Sequence, residues 1–585
     1  MELTWLLLLA TLLLSTTLLV FLFHGGSSAT GGEKRRRLPP GPATVPVLGN
    51  LLWATNSGMD IMRAVRRLHA RHGPMLGLRM GSRLEVIVAD RRLAHAALVE
   101  SGAAMADRPE FASRALLGLD TATISNSSYG PLWRLFRRNF VAEVANPARL
   151  RQFAPARAAV LEELTDKLRR RQEDAGAGTI LETFQYAMFF LLVAMCFGEL
   201  LDERAVRDIA AAQRDLLLHS SKKLRVFAFL PAITTRLFAG RMKAMIAMRQ
   251  RLKGMFMPLI DARRARKNLV DDHGDATAPP PPAASATTLP HSYVDTLLNL
   301  RINDNGGERA LTDDEMVALC SEFLNGGTDT TSTALEWIMA ELVKNPTIQD
   351  KLHGEIKGAI TSNSGKVSEE DVQKMPYLKA VVMEGLRRHP PGHFVLPHAP
   401  AEDMELGGYT IPKGTLVNFT VADMGMDGAA WDRPREFLPE RFMAGGDGEG
   451  VDITGTREIR MMPFGAGRRI CPGLGVATLH LEYFVANMVA AFEWRAAEGE
   501  AVDVDGEKLE FTVVMEKPLR ARLLPRAVTV NRWAPSCARP AWLGYVVWLH
   551  PRPKTDIQFQ SSSKAPVAGA RKELSSRHGN GKMMS

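Results

Sequence analysis

The sequence predicts a mainly α fold with a small β portion (α+β), preceded by a transmembrane helix, and three observations carry that prediction. Apolar residues recur with helical period from Leu150 to about Lys267 and again from Thr312 to Asn345, spans far longer than a strand. Strand signals are sparse, the clearest being Leu84 to Ala89 with β-branched Val86, Ile87 and Val88. Leu3 to Phe23 is apolar apart from a few Thr and Ser residues and is about 30 Å long as a helix, enough to cross a bilayer.

With 585 residues, 46% of them hydrophobic, the chain can bury a large core and exceeds the usual size of one compact domain. Lysine and arginine outnumber aspartate and glutamate by 73 to 64, which fits an anionic membrane surface or an acidic partner. No basic patch interleaved with aromatics points to nucleic acid. Cys196, Cys320, Cys471 and Cys537 are far apart and form no C-x-x-C pair, so neither a zinc knuckle nor a disulfide framework is indicated, and a reducing compartment fits best.

Taken in order, Leu3 to Phe23 reads as an anchor rather than a cleaved signal peptide, because it is long and Glu2 stands where a basic region is expected. Lys34, Arg35, Arg36 and Arg37 follow, and positive charge on that side places the rest of the chain in the cytosol. Pro39, Pro40, Gly41 and Pro42 form a stiff extended hinge. Asn126-Ser127-Ser128 is a glycosylation sequon that a cytosolic location leaves unmodified. Trp133 and Arg137 lie four apart on one helix face, where indole N–H and guanidinium could grip a carboxylate; a packed tryptophan beside a solvated arginine is the alternative. Leu150 to Lys267 is helical scaffold. Phe227 to Leu237 within it is an apolar exception, read as core or as a membrane-dipping entry loop, and residues 273–290, with Pro279 to Pro282, read as an exposed linker.

Thr312 and Glu315 form a capping-box pair that opens a long helix, and Asn345-Pro346 stops it. Gly326 and Gly327 sit in its middle, each costing about 1 kcal/mol relative to alanine, and are followed by Asp329, Thr330 and Thr331. Thr330 can bond the Gly326 carbonyl one turn back and open a groove for a diatomic ligand. A kinked core helix with internally satisfied polar residues is the rival. Pro376 opens a further helix that ends before Pro390-Pro391 and carries Glu384 and Arg387 on one face.

The densest chemistry is Phe464-Gly465-Ala466-Gly467-Arg468-Arg469-Ile470-Cys471-Pro472-Gly473. Three glycines and a proline exclude regular structure and make a tight loop that something flat can approach, with Gly473 leaving that approach open. Arg468 and Arg469 bring positive charge that favours the thiolate, the metal-binding form. Phe464 supplies an apolar lid, and loop amides can tune the sulfur. Cys471 therefore suits an iron ligand, against the alternative of a small core hydrophobe.

In this run, Phe-x-x-Gly-x-Arg-x-Cys-x-Gly, the chain resembles the cytochrome P-450 monooxygenases. The resemblance implies a haem between the long helix and the cysteine loop, with Cys471 as axial ligand of haem b iron and Arg469 pairing with a propionate. It further implies cofactor contacts from Phe464, Gly467, Gly473, Trp133 and Arg137, and from His398, at a position where relatives usually carry arginine. Gly326 to Thr331 matches the oxygen-binding motif, with Gly326 and Gly327 lining a groove and Asp329 and Thr330 passing protons to dioxygen over the iron. Glu384, Arg387 and Arg441, the last from Pro439-Glu440-Arg441-Phe442, match a buried structural network. Gly392 to Leu396 and Phe511 to Met515 should border the cavity; with Phe323, Leu324, Val395, Leu396 and Val513 as lining they imply an apolar substrate, although core packing predicts the same residue types. The wording Phe323 to Thr331 resembles the plant microsomal branch and its family eighty-nine.

The expected organisation is an anchor at 1–24, a hinge at 25–46, a haem-thiolate domain at 47–525 and a C-terminal extension at 526–585. The composition of the extension predicts disorder, with a misjudged reading frame or a membrane-surface contact as alternatives. No Gly-x-Gly-x-x-Gly follows a strand, so electrons are expected from an NADPH-dependent flavoprotein reductase docking on Arg134, Arg138 and Arg468. The expectation is a monooxygenase in the endoplasmic reticulum membrane, facing the cytosol and acting on an apolar small molecule. A haem-thiolate isomerase or dehydratase using no external electrons, and a non-catalytic membrane binding protein, are the alternatives.

Overall fold

The computed structural model describes residues 10–17, 37–45, 49–50, 61–80, 83–110, 121–171, 179–223, 227, 231–272, 288–304, 307–361 and 365–526. Residues 10–17 of the expected anchor are helical, and 10–16 are exposed. The rest of Leu3 to Phe23, the basic run 34–36, most of the 273–290 linker and everything after residue 526 lie outside the described residues. Two described helices are long and apolar enough to cross a membrane, Ile180–Phe197 and Leu474–Ala491, and both are mostly buried in the core.

The hinge prolines lie against the first strand. The Gly77 N–H donates to the Pro40 carbonyl (2.7 Å), and a Cβ on Gly41 would overlap the Gly77 carbonyl oxygen, so glycine is required by close approach. The expected strand forms as Arg83–Val88, antiparallel to Met75–Met80 and parallel to Leu416–Phe419, with Glu85 opposite Leu416. The other described sheets are two-stranded.

Helices make up the remainder. Pro131–Glu143 starts on a proline and buries Trp133, Phe136 and Phe140. Ile180–Phe197 opens on a Thr179/Glu182 capping box and closes on Gly198 at φ 75°. In the Phe227 to Leu237 stretch, Phe227 is buried against Met245, whereas Leu237 is exposed at the end of helix Pro231–Leu237. The long helix runs without a break over Asp313–Lys344. Its capping box is complete: the Glu315 N–H donates to Thr312 Oγ1 (3.3 Å) and the Thr312 N–H to Glu315 Oε2 (2.7 Å). Helices Ile180–Phe197, Asp313–Lys344 and Leu474–Ala491 share the main core. Gly327 permits this packing, since a Cβ there would stand 2.8 Å from Leu192 Cδ1.

Helix Pro376–Arg388 carries the second organising feature. Glu384 accepts from Arg387 Nε (2.6 Å) and Nη2 (2.8 Å), from Arg441 Nε (3.1 Å) and from the Leu438 N–H (2.9 Å). All three charged side chains are buried, and the Trp431 ring lies under the guanidiniums of Arg387 and Arg441 at 5.3 and 5.7 Å. A carboxylate with four donors is tolerated in the interior; the same carboxylate short of donors is not. Arg387→Met should therefore lower the unfolding free energy by about 3–5 kcal/mol, read from urea denaturation midpoints. An unchanged midpoint would show that Glu384 does not depend on this partner.

Candidate functional site

The cysteine loop owes its shape to Gly465 and Gly467, at φ 71° and 69°. A Cβ on Gly467 would also overlap the Leu98 carbonyl oxygen. The Cys471 N–H donates to the Phe464 carbonyl (2.8 Å), and the loop presents Cys471 on the wall of a cavity of about 400 Å³ that Phe464 and Gly473 also line. The missing Cβ of Gly473 would meet only Cys471 Sγ, at 3.8 Å, so glycine keeps the space beside the sulfur open. Burial pushes the thiol up, while the Gly473 N–H and the charge of Arg137 pull it back. The positive charge felt by the sulfur thus comes from Arg137. The expected sources do other things: Arg468 is exposed and donates to the Tyr129 hydroxyl (2.9 Å), and Arg469 is turned to the main chain.

Cations gather along one side of the cavity. Arg469 donates to the carbonyls of Ala106 (2.7 Å), Ile124 (3.2 Å) and Ser127 (2.6 Å), and burial lowers it to about 10. The guanidiniums of Arg469 and Arg137 stand 4.6 and 5.5 Å from the Trp133 ring. Its indole N–H donates to the Ile124 carbonyl (3.1 Å), so indole and guanidinium are stacked here rather than jointly aimed at a carboxylate. His398 lines the cavity but carries no charge: burial, helped by Arg108, holds it down at about 3, and its Nδ1 lies 2.9 Å from the Met105 carbonyl, which selects the Nδ1–H tautomer. The cation near this position is Arg108, which sequence reasoning missed because it belongs to no motif. Its Nε donates to the Ser125 carbonyl (2.8 Å) and its Nη1 to those of Leu396 (3.0 Å) and Pro397 (2.7 Å), and burial lowers it to about 9.

The long helix forms the facing wall. Thr330 Oγ1 donates to the Gly326 carbonyl (2.7 Å) as the four-residue spacing requires, and a Cβ on Gly326 would meet nothing within 4 Å. Both residues line the cavity; Asp329 does not. Consecutive helix residues point about 100° apart, and Asp329 turns away to accept from Gln185 Nε2 (2.9 Å) and Arg214 Nη1 (3.0 Å). It borders a second cavity of about 240 Å³ with Tyr186 and Leu324. The expectation of Asp329 and Thr330 side by side over the metal is thereby corrected.

Of the expected apolar lining, Phe323, Val395 and Leu396 border the main cavity, together with Phe140, Phe394 and Phe511. Leu324 belongs to the second cavity. Val513 packs behind the wall, its carbonyl accepting from Trp337 Nε1 (2.8 Å) and its N–H donating to the Pro391 carbonyl (2.9 Å). His480 is a further lining residue; it is buried, its Nε2 has no hydrogen-bond partner, and burial beside Arg157 holds it at about 3. Arg134, Arg138 and Arg468 are exposed, and the first and last approach the Tyr129 ring at 4.8 and 5.7 Å. A thiol on an open glycine loop, three guanidiniums along one side and a helix thinned by Gly326 opposite together suit a flat metal-bearing group with anionic substituents.

Comparisons with known proteins agree with this arrangement. A family model described as cytochrome P450 matches residues 39–523. The chain is 41% identical to cytochrome P450 89A9 of Arabidopsis thaliana, over 84% of this chain and 94% of the relative. It is 30% identical to 5-epiaristolochene 1,3-dihydroxylase of Nicotiana tabacum, over 79% of this chain and 87% of the relative. Among solved structures, a zebra fish cytochrome P450 with progesterone shares the fold at a TM-score of 0.63 and 21% identity, covering 80% of this chain and 100% of that one.

The neutrality of His480 has a pH consequence. Its folded value near 3 lies below the ordinary 6.5, so between those limits the unfolded chain takes up a proton that the folded chain refuses, and stability falls as pH falls. From about pH 6 to pH 4 the unfolding free energy of the wild type should drop more steeply than that of His480→Leu, by about 1.4 kcal/mol per pH unit. Parallel urea-denaturation profiles would show that His480 is charged in the fold.

Proposed function

The chain belongs to the cytochrome P450 family, and on that premise we propose that it is a haem-thiolate monooxygenase. It inserts one atom of dioxygen into an apolar organic substrate and reduces the other to water, with electrons from an NADPH-dependent flavoprotein reductase. The observation that carries this reading is the Cys471 thiol on an open loop, across a cavity from the Gly326 and Thr330 face of the long helix. Haem b bound there supplies the activation of dioxygen, and a thiolate ligand favours cleavage of the O–O bond. The activities for which relatives are named, a dihydroxylase and a 4-hydroxyphenylacetaldehyde oxime monooxygenase of Sorghum bicolor, favour oxygenation over isomerisation or dehydration.

Each residue then has a defined task. Cys471 is the iron ligand, and the charge of Arg137 favours its ionised form. Arg108, Arg137 and Arg469 hold the carboxylates of the cofactor, with the Trp133 ring packed against the last two and neutral His398 beside them as positioning groups. Phe464, Gly467 and Gly473 shape the loop around the ring. Thr330 holds a proton at the main cavity, while Asp329, turned about 100° away on the same helix, borders the second cavity and is oriented there by Gln185 and Arg214. Phe140, Phe323, Phe394, Val395, Leu396 and Phe511 exclude water and select an apolar substrate. Glu384, Arg387 and Arg441 are structural. The body sits on the cytosolic face of the endoplasmic reticulum, anchored through Leu3 to Phe23, and Arg134, Arg138 and Arg468 receive the acidic face of the reductase.

Cys471→Ser should abolish the red-shifted Soret band of the reduced carbon monoxide complex together with turnover. Survival of pigment, spectrum and turnover would end the reading. Reversing the charge of Arg134, Arg138 and Arg468 together should slow reduction by the flavoprotein about tenfold at low ionic strength and remove most of its salt dependence. An unchanged stopped-flow salt profile would move the docking face elsewhere.

A further inference from the structure

Among the described residues, Glu322 is the acidic side chain that lines the main cavity, one turn before Gly326 and two before Thr330 on the same face of the long helix. Both of its oxygens serve the main chain of a different segment: Oε2 accepts the Ile124 N–H (2.8 Å) and Oε1 the Ser125 N–H (2.6 Å). Two successive amides held by one carboxylate have their position and rotation set together, and a charged acceptor makes such bonds stronger than neutral ones.

The carbonyls of that same segment hold the donors of the cation wall. The Ile124 carbonyl accepts from Trp133 Nε1 and Arg469 Nη1, the Ser125 carbonyl from Arg108 Nε, and the Ser127 carbonyl from Arg469 Nη2. A carboxylate at the edge of a cavity meant for anionic groups would oppose their binding if left bare. Here two amides and the nearby Arg108 charge offset it.

We propose that Glu322 is a positioning residue for cofactor binding: by clamping the Ile124 and Ser125 amides to the long helix, it holds Trp133, Arg108 and Arg469 in register with the cavity. The proposal rests on the haem reading of that cavity. It ties the oxygen-side helix to the cations through one short segment, so that a shift of the helix at Glu322 is transmitted to them.

Glu322→Gln keeps the side-chain shape and removes one acceptor. In full-length protein, amide exchange at Ile124 and Ser125 should rise at least about tenfold, and haem should pass to an apomyoglobin scavenger about tenfold faster. The melting temperature and the Soret position of the haem still bound should not change. A fall in melting temperature with unchanged exchange at these two amides would make Glu322 merely structural and overturn the proposal, as would unchanged exchange and unchanged haem release. If the variant does not accumulate folded, the wild-type chain decides: Ile124 and Ser125 amides exchanging as fast as unprotected loop amides also overturn it. A wild-type chain that takes up no haem would defeat the cofactor reading instead, while the exchange measurement still tests the clamp.

Discussion

A helix buried along most of its length must find partners inside the protein for the polar side chains it buries, and the rest of this structure is arranged around that requirement. Thr328, Thr330 and Ser332 solve it locally by donating to the carbonyl one turn back. The others reach outward, each to a different part of the chain. Glu322 takes the amides of the 121–130 segment, Asp329 takes Gln185 and Arg214, Thr333 meets Thr512, and Glu341 receives Arg388 and His389. The walls of both cavities are consequently pinned to one rod. Glu336 is the least satisfied member: one oxygen accepts the Leu519 N–H, the other has no partner, and burial pushes the acid up to about 7.

The same rod separates two environments. On the face of Gly326 and Thr330 it borders the large cavity shared with the cysteine loop; on the face of Thr328 and Asp329 it borders the smaller, more polar one. Gly327 serves the packing between them, giving Leu192 room to approach, whereas Gly326 faces open space. Two adjacent glycines therefore answer two demands, close helix contact and an unobstructed wall. The Glu384, Arg387 and Arg441 cluster lies apart from both cavities and rests on Trp431. A fully bonded buried charge cluster specifies one arrangement of the chain segments that supply its donors, because every alternative leaves a charge without partners.

Much of this was legible in the linear order of residues. The capping box at Thr312, the stop at Asn345-Pro346, the back-bond from Thr330 to Gly326 and the strand around Val86 are local, and local geometry follows from spacing. The Cys471 loop was legible for a related reason, since glycines at φ 71° and 69° write the turn into the composition. The errors all concern direction or distance in three dimensions. Asp329 was paired with Thr330 because they are neighbours in sequence, yet a helix turns neighbours apart. Arg468 and Arg469 were credited with the charge beside the sulfur, but Arg137, remote in sequence, supplies it. Val513 and Leu324 were assigned to a wall they stand behind or face away from.

By itself the sequence determined the secondary structure, the cysteine loop and the motifs that carry the family resemblance, because backbone preferences and short-range hydrogen bonds act over a few residues. The tertiary structure alone decided which cations gather at the cavity, that His398 is neutral while Arg108 carries the charge, and that Glu322 is spent on the amides of Ile124 and Ser125. Those outcomes depend on desolvation and on contacts between residues far apart in the chain, and neither quantity is defined until the chain has packed.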